Sequence, residues 1–113
     1  MYQYYNNLME AHLRRAGVVV RRRHTLEGAL RQMAASRPAL VVMLVGTSDP
    51  NGLDLLRKIK TNADFANVPT LGILEERHAH LASAAMAEGA DKCVAVPFDP
   101  VKLADDIRNL VRQ

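Results

Sequence analysis

Seven consecutive apolar residues, Ala39-Leu-Val-Val-Met-Leu-Val45, lie between Pro38 and Gly46. The run has no polar–apolar alternation and is far too short for the ~20 residues that span a bilayer. A short β-branched run bounded by turn formers suits a strand covered on both faces, as in a parallel sheet. Parallel strands need long crossovers, usually helical. The segments on either side are therefore expected to be helices.

The flanking sequence meets that expectation. Tyr2, Tyr5, Leu8 or Met9, Leu13 and Ala16 recur at helical spacing, and Gly17 after Arg14-Arg15-Ala16 reads as a helix stop. Val18-Val19-Val20 reads as a short strand. Thr25 is placed to cap a helix carrying Leu26, Ala29, Leu30 and Met33. Beyond the turn Gly46–Gly52, Leu53, Leu55, Leu56 and Ile59 describe another helix. Pro69–Leu74 is a second buried strand, residues 76–88 form an Ala-rich helix closed by Gly89, and Lys92–Val96 is a strand stopped by Pro97. Asp99 caps a last helix with Pro100 at its first position, and Val101, Leu103, Ile107, Leu110 and Val111 are assigned to its inner face. Strict helix–strand alternation predicts an α/β fold in one domain spanning residues 1–113.

Composition bounds the function. With 49% apolar residues, a chain of 113 can bury an aliphatic core, and the single Cys93 excludes an internal disulfide. The net charge of +3 is modest and concentrated in Arg14-Arg15 and Arg21-Arg22-Arg23. The N-terminus lacks the order of a signal peptide, and the expected setting is cytoplasmic, with no membrane association.

Arg37-Pro-Ala-Leu-Val-Val-Met-Leu44, the turn with Asn51-Gly52-Leu53, and Leu55–Lys60 resemble the central block of bacterial response-regulator receiver domains. Asn67-Val68-Pro69 resembles the approach to that family's fourth strand. Glu88-Gly89-Ala90-Asp91, followed by Pro97-Phe98-Asp99-Pro100, resembles its fifth strand and the loop beyond. The resemblance implies a flavodoxin-like three-layer sandwich with a parallel sheet of four to five strands. It implies a role in two-component or phosphorelay signal transduction.

Receivers transfer a phosphoryl group using a Mg²⁺-holding acidic pair, an acceptor Asp, a Thr or Ser, and a Lys. Carried over by position, the acceptor is Leu44, the Thr/Ser is Leu74, the Lys is Val96, and the switching aromatic is Cys93. Asp49 and Asp54 flank the loop, but both also suit turn and helix-surface roles. The expectation is no catalytic residue, no phosphoacceptor, no metal and no cofactor. By the same resemblance Met1 falls at about the acidic-pair position. The helical spacing of Tyr2 and Tyr5 favours absence of the family's first strand. Direct closure of the sheet, a strand from another chain, and a natural start upstream all remain open.

Three further features carry alternatives. Arg21, Arg22 and Arg23 suit anion or nucleic-acid binding, or an edge strand protected by charge; the second is favoured, because no aromatic platform accompanies them. His78 and His80 are two apart, a poor metal pair on a helix. In the family the fourth helix, fifth strand and fifth helix form a common partner face, which implies Leu81, Ala85, Met86, Cys93 and Arg108 as a candidate interaction surface. The functional expectation is a non-phosphorylatable, non-enzymatic signalling module acting through a protein partner or a homodimer, including a strand-exchanged one. The alternatives are a nucleic-acid-binding accessory domain and a receiver with displaced phosphoacceptor chemistry.

Overall fold

The structure, a computed structural model, describes residues 2–15, 17–21, 25–45, 52–96 and 98–111. The elements are α1 (Tyr2–Arg15), α2 (Leu26–Ala35), β1 (Val41–Val45), α3 (Gly52–Thr61), β2 (Thr70–Glu75), a 3₁₀ segment (Glu76–Leu81), α4 (Ala82–Ala87), β3 (Lys92–Val96) and α5 (Pro100–Val111). The strands form a parallel sheet in the order β1-β2-β3. Helices cover both faces, giving the flavodoxin-like three-layer sandwich.

Local chemistry sets the helix ends. The amide of Gly28 donates to Thr25 Oγ1 at 2.9 Å, so Thr25 caps α2 as its position suggested. Asp99 Oδ1 accepts from the amides of Val101 and Lys102 at 3.0 and 3.2 Å. After α1, Gly17 (φ 87°) donates to Arg14 O and Val18 donates to Leu13 O, the paired bonds of a Schellman stop. Gly89 (φ 108°) closes α4 in the same way, with bonds from Gly89 to Met86 O and from Ala90 to Ala85 O. The helix expected over 76–88 is thus divided: its first part is 3₁₀, with a kink at His78.

Alternation along the strands makes two cores. On one face Met43, Val45 and Leu74 pack with Met33, Leu55, Leu56, Ile59 and Ala85 from α2, α3 and α4. On the other, Leu71, Ile73 and Val96 pack with Met9 and Leu13 of α1 and with Leu103, Ala104 and Ile107 of α5. A polar cluster ties the amino end of the sheet. Asp91 Oδ2 accepts from the Thr70 amide at 2.7 Å and from Thr70 Oγ1 at 3.2 Å, and Lys60 Nζ stands 3.6 Å from it. Lys60 also donates to Ala66 O and Val68 O, fastening the turn that leads into β2.

Three expectations need correction. The sheet has three strands among the described residues, not four to five, because Val18–Val20 forms no ladder. The segment still alternates, with Val18 and Val20 packed on the second core and Val19 74% exposed. Local β propensity creates an extended chain; only a hydrogen-bonding neighbour makes it a strand. Val101 and Val111 face outward, at 51% and 40% exposure. The inner stripe of α5 is Leu103, Ala104 and Ile107, and Val101, two residues before Leu103, falls on the opposite side of the helix. Leu8 is partly exposed, and Met9 takes the buried position between the two alternatives.

Candidate functional site

The register sets the carboxyl ends of the strands abreast: Leu44 is opposite Ile73, Val45 opposite Leu74, Leu74 opposite Ala95, and Glu75 opposite Val96. The parallel ladder therefore brings together the three positions that the resemblance marked as the phosphoryl site. Leu74 is 2% exposed and belongs to the first core; Val96 is 1% exposed and belongs to the second. The Leu44 side chain lies outside the described set. Among the strand-end side chains that are described, Val45, Leu74, Ala95 and Val96, none carries oxygen or nitrogen. Mg²⁺ requires hard oxygen ligands, and these four groups do not fit it.

The acidic groups nearby are differently placed. Asp49 is outside the described residues. Asp54 is exposed in the first turn of α3 and pairs with Arg57 at 3.4 Å. Arg57 also reaches Glu88 at 3.0 Å, and that bond and charge raise the guanidinium pKa above its ordinary value. Cys93 is half-buried on the first-core face. Burial pushes its thiol pKa up, while a backbone hydrogen bond with Gly72 pulls the other way. Burial that disfavours the thiolate lowers the nucleophilicity of Cys93.

The candidate interaction residues differ in exposure. Ala85 is fully buried in the first core, and Leu81 and Cys93 pack against it, whereas Met86 is 48% exposed. Arg108 pairs with Asp105 and lines a cavity between α1 and α5 on the opposite layer. Small residues on a short helix served close packing onto the sheet here, so Ala85 is withdrawn as a contact residue. Arg21 is exposed, and Arg22 and Arg23 lie outside the described residues. His78 and His80 meet edge to face at 6.3 Å between ring centroids. Among the described residues no group of three or more His, Cys, Asp or Glu side chains is arranged to hold a metal.

The sequence reading missed the groove between α1 and α5, a cavity of about 250 Å³ to which His12, Arg15 and Val101 contribute. Its signal was present in Val101, an apolar residue off the inner stripe of an amphipathic helix.

A parallel sheet sandwiched by helices, with its carboxyl strand ends abreast, defines a flavodoxin-like domain. The chain belongs to the response regulator receiver domain family, whose model matches residues 3–108. Solved structures of similar fold include a protein of Chloroflexus aurantiacus described as a response regulator, with TM-score 0.87 and 24% identity over 97% of this chain and 90% of that one. The receiver domain of NtrX from Brucella abortus matches with TM-score 0.82 and 23% identity, covering 95% of this chain and 89% of that one. The receiver domain of sensor histidine kinase PA1611 from Pseudomonas aeruginosa, solved with magnesium in its active-site cleft, matches with TM-score 0.81 and 18% identity over 98% and 91% of the two chains. A search of curated proteins finds no match.

Proposed function

We propose that this chain is a non-phosphorylatable receiver-like module of two-component or phosphorelay signalling. It acts in the bacterial cytoplasm through a protein partner or a second copy of itself. One observation carries the reading. Leu74 and Val96 stand where the family places a hydroxyl and an ammonium, and both are buried in apolar cores. Phosphoryl transfer needs an anionic nucleophile, a cation and donors for developing charge. Without a phosphoryl group nothing of that kind shifts a conformational equilibrium, and regulation falls to binding. No helix among the described residues is long and apolar enough to cross a membrane.

The direct test is intact-mass measurement after incubation with a small phosphodonor and Mg²⁺. The expected result is no stable phosphoryl adduct. An adduct that requires Mg²⁺ would overturn the reading and turn attention to Asp49 or Asp54.

Self-association has its own physical support. Among the described strands β1 lies at the sheet edge, and it has no charge, proline or bulge to discourage pairing. The Val41 amide donates to Pro69 O, so Val42 and Leu44 direct their backbone groups away from β2. The run Val41-Val-Met-Leu-Val45 is nearly symmetric about Met43. Two copies in antiparallel array would set Val42 opposite Leu44 and pair those groups. Sedimentation should show a concentration-dependent dimer that Val42→Lys shifts to monomer. Indifference to that substitution would remove the edge as the route to association.

A further inference from the structure

We propose that the cavity between α1 and α5 binds a small sugar phosphate. The two helices pack against each other, and His12, Arg15, Val101, Ala104, Asp105 and Arg108 line the cavity. Helical spacing sets His12 and Arg15 on one face of α1, and Val101, Ala104, Asp105 and Arg108 on one face of α5. Two guanidiniums and an imidazole thus converge from two helices, against a single carboxylate, and the lining is net positive. Arg15 is exposed and has no ion-pair partner among the described residues. Glu10, on the preceding turns of α1, is already engaged by Arg14 at 2.7 Å. The planar donor fork of arginine matches phosphate oxygens, and His12 adds a ring N–H. A phosphate monoester brings roughly 1.5 to 2 negative charges at neutral pH.

The remaining lining residues select what carries the phosphate. Asp105 Oδ1 accepts from Arg108, which leaves the carboxylate further acceptor capacity. A phosphate dianion has only acceptors and cannot use it, whereas the hydroxyl groups of a sugar can. Val101, 51% exposed, and the buried Ala104 offer an apolar contact to a carbon skeleton. Size sets the upper limit. The volume of about 250 Å³ equals roughly eight waters at their liquid share, room for one phosphate and one sugar. A nucleic-acid strand or a dinucleotide exceeds it.

The probes are ribose 5-phosphate, inorganic phosphate and ribose, each titrated into the isotope-labelled chain and followed by amide chemical shifts. Ribose 5-phosphate should give saturable shifts confined to the second half of α1 and the first two-thirds of α5. Inorganic phosphate should shift the same amides more weakly, and ribose should shift none. Arg15→Gln and Arg108→Gln should each weaken ribose 5-phosphate about tenfold, the loss of one charge-assisted contact. Asp105→Ala should erase the preference for ribose 5-phosphate over inorganic phosphate, a change that a purely structural role would not produce. All three side chains are exposed, so the fold should survive, and Arg57→Gln, an exposed arginine elsewhere, should change nothing. No saturation by about 10 mM, or insensitivity to both arginine substitutions, would overturn the proposal. Equal affinity for the two phosphates in the parent chain would overturn the sugar. Shifts of these amides by duplex DNA but not by ribose 5-phosphate would overturn it in favour of a polyanion. The site stands apart from the strand ends, so this result and the phosphodonor result fall separately.

Discussion

Val96→Lys, which restores the family's residue at the end of β3, is expected to destabilise the domain by about 3 kcal/mol or more. Val96 is 1% exposed and belongs to a core whose other buried members, Met9, Leu13, Leu71, Ile73, Leu103, Ala104 and Ile107, are all apolar. The described side chains of that core offer an ammonium no carboxylate, and its desolvation adds to the lost burial of the valine. A domain of this size has a total stability of roughly 5–15 kcal/mol, so the variant should unfold at markedly lower urea. Val96→Ile, which keeps shape and polarity, should change stability by less than about 1.5 kcal/mol. Urea titration of the three proteins by circular dichroism decides the matter. If Val96→Lys matched the parent, an anionic or wet environment would have to exist at the strand ends. The apolar filling of the site would then be wrong.

The second large effect is expected at the other end of the sheet. Asp91→Ala removes the acceptor for the Thr70 amide and hydroxyl and the counter-charge 3.6 Å from Lys60. Thr70 is fully buried, so its amide would be left without a partner. A lost charge-assisted bond and an orphaned buried donor together suggest about 2–3 kcal/mol, moderated because the Asp91 side chain is 43% exposed and water can approach. The melting temperature should fall on the order of 10 °C. Asp91→Asn keeps an acceptor oxygen and should lose distinctly less. Equal losses for the two variants would mean that the ion pair with Lys60, and not the bond to Thr70, carries the contribution.

These two sites also separate what could be read from residues and what could not. Thr25, Gly17, Gly89 and Asp99 act within a few residues of themselves, through a hydroxyl, a carboxylate or a positive φ. Their roles were therefore legible in the chain. The apolar run through Val45 announced a buried parallel strand, and the family positions Leu74, Val96 and Cys93 were apolar on inspection. The parallel ladder then set Leu74 and Val96 at neighbouring strand ends, with their side chains in the two different cores.

Contacts between distant segments were not legible. Val18–Val20 has strand propensity, yet among the described residues it joins no ladder, because pairing belongs to two segments and not one. Ala85 read as a contact residue, and its complete burial follows only from the approach of α4 to the sheet. Val101 read as core until the packing of α5 set Leu103, Ala104 and Ile107 inward. Thr70, Asp91 and Lys60 lie in three separate elements, and nothing in their spacing predicts a shared site.

The sequence by itself determined the alternation of helices and strands, their caps, and the absence of polar chemistry at the family's phosphoryl positions. Those properties depend on near neighbours and on residue type. Only the tertiary structure decided that the described sheet stops at three strands, that β1 is the outer one of them, and that α1 and α5 leave a groove between them. Each of these is a relation between surfaces far apart in the chain, fixed when the two cores close on either side of the sheet.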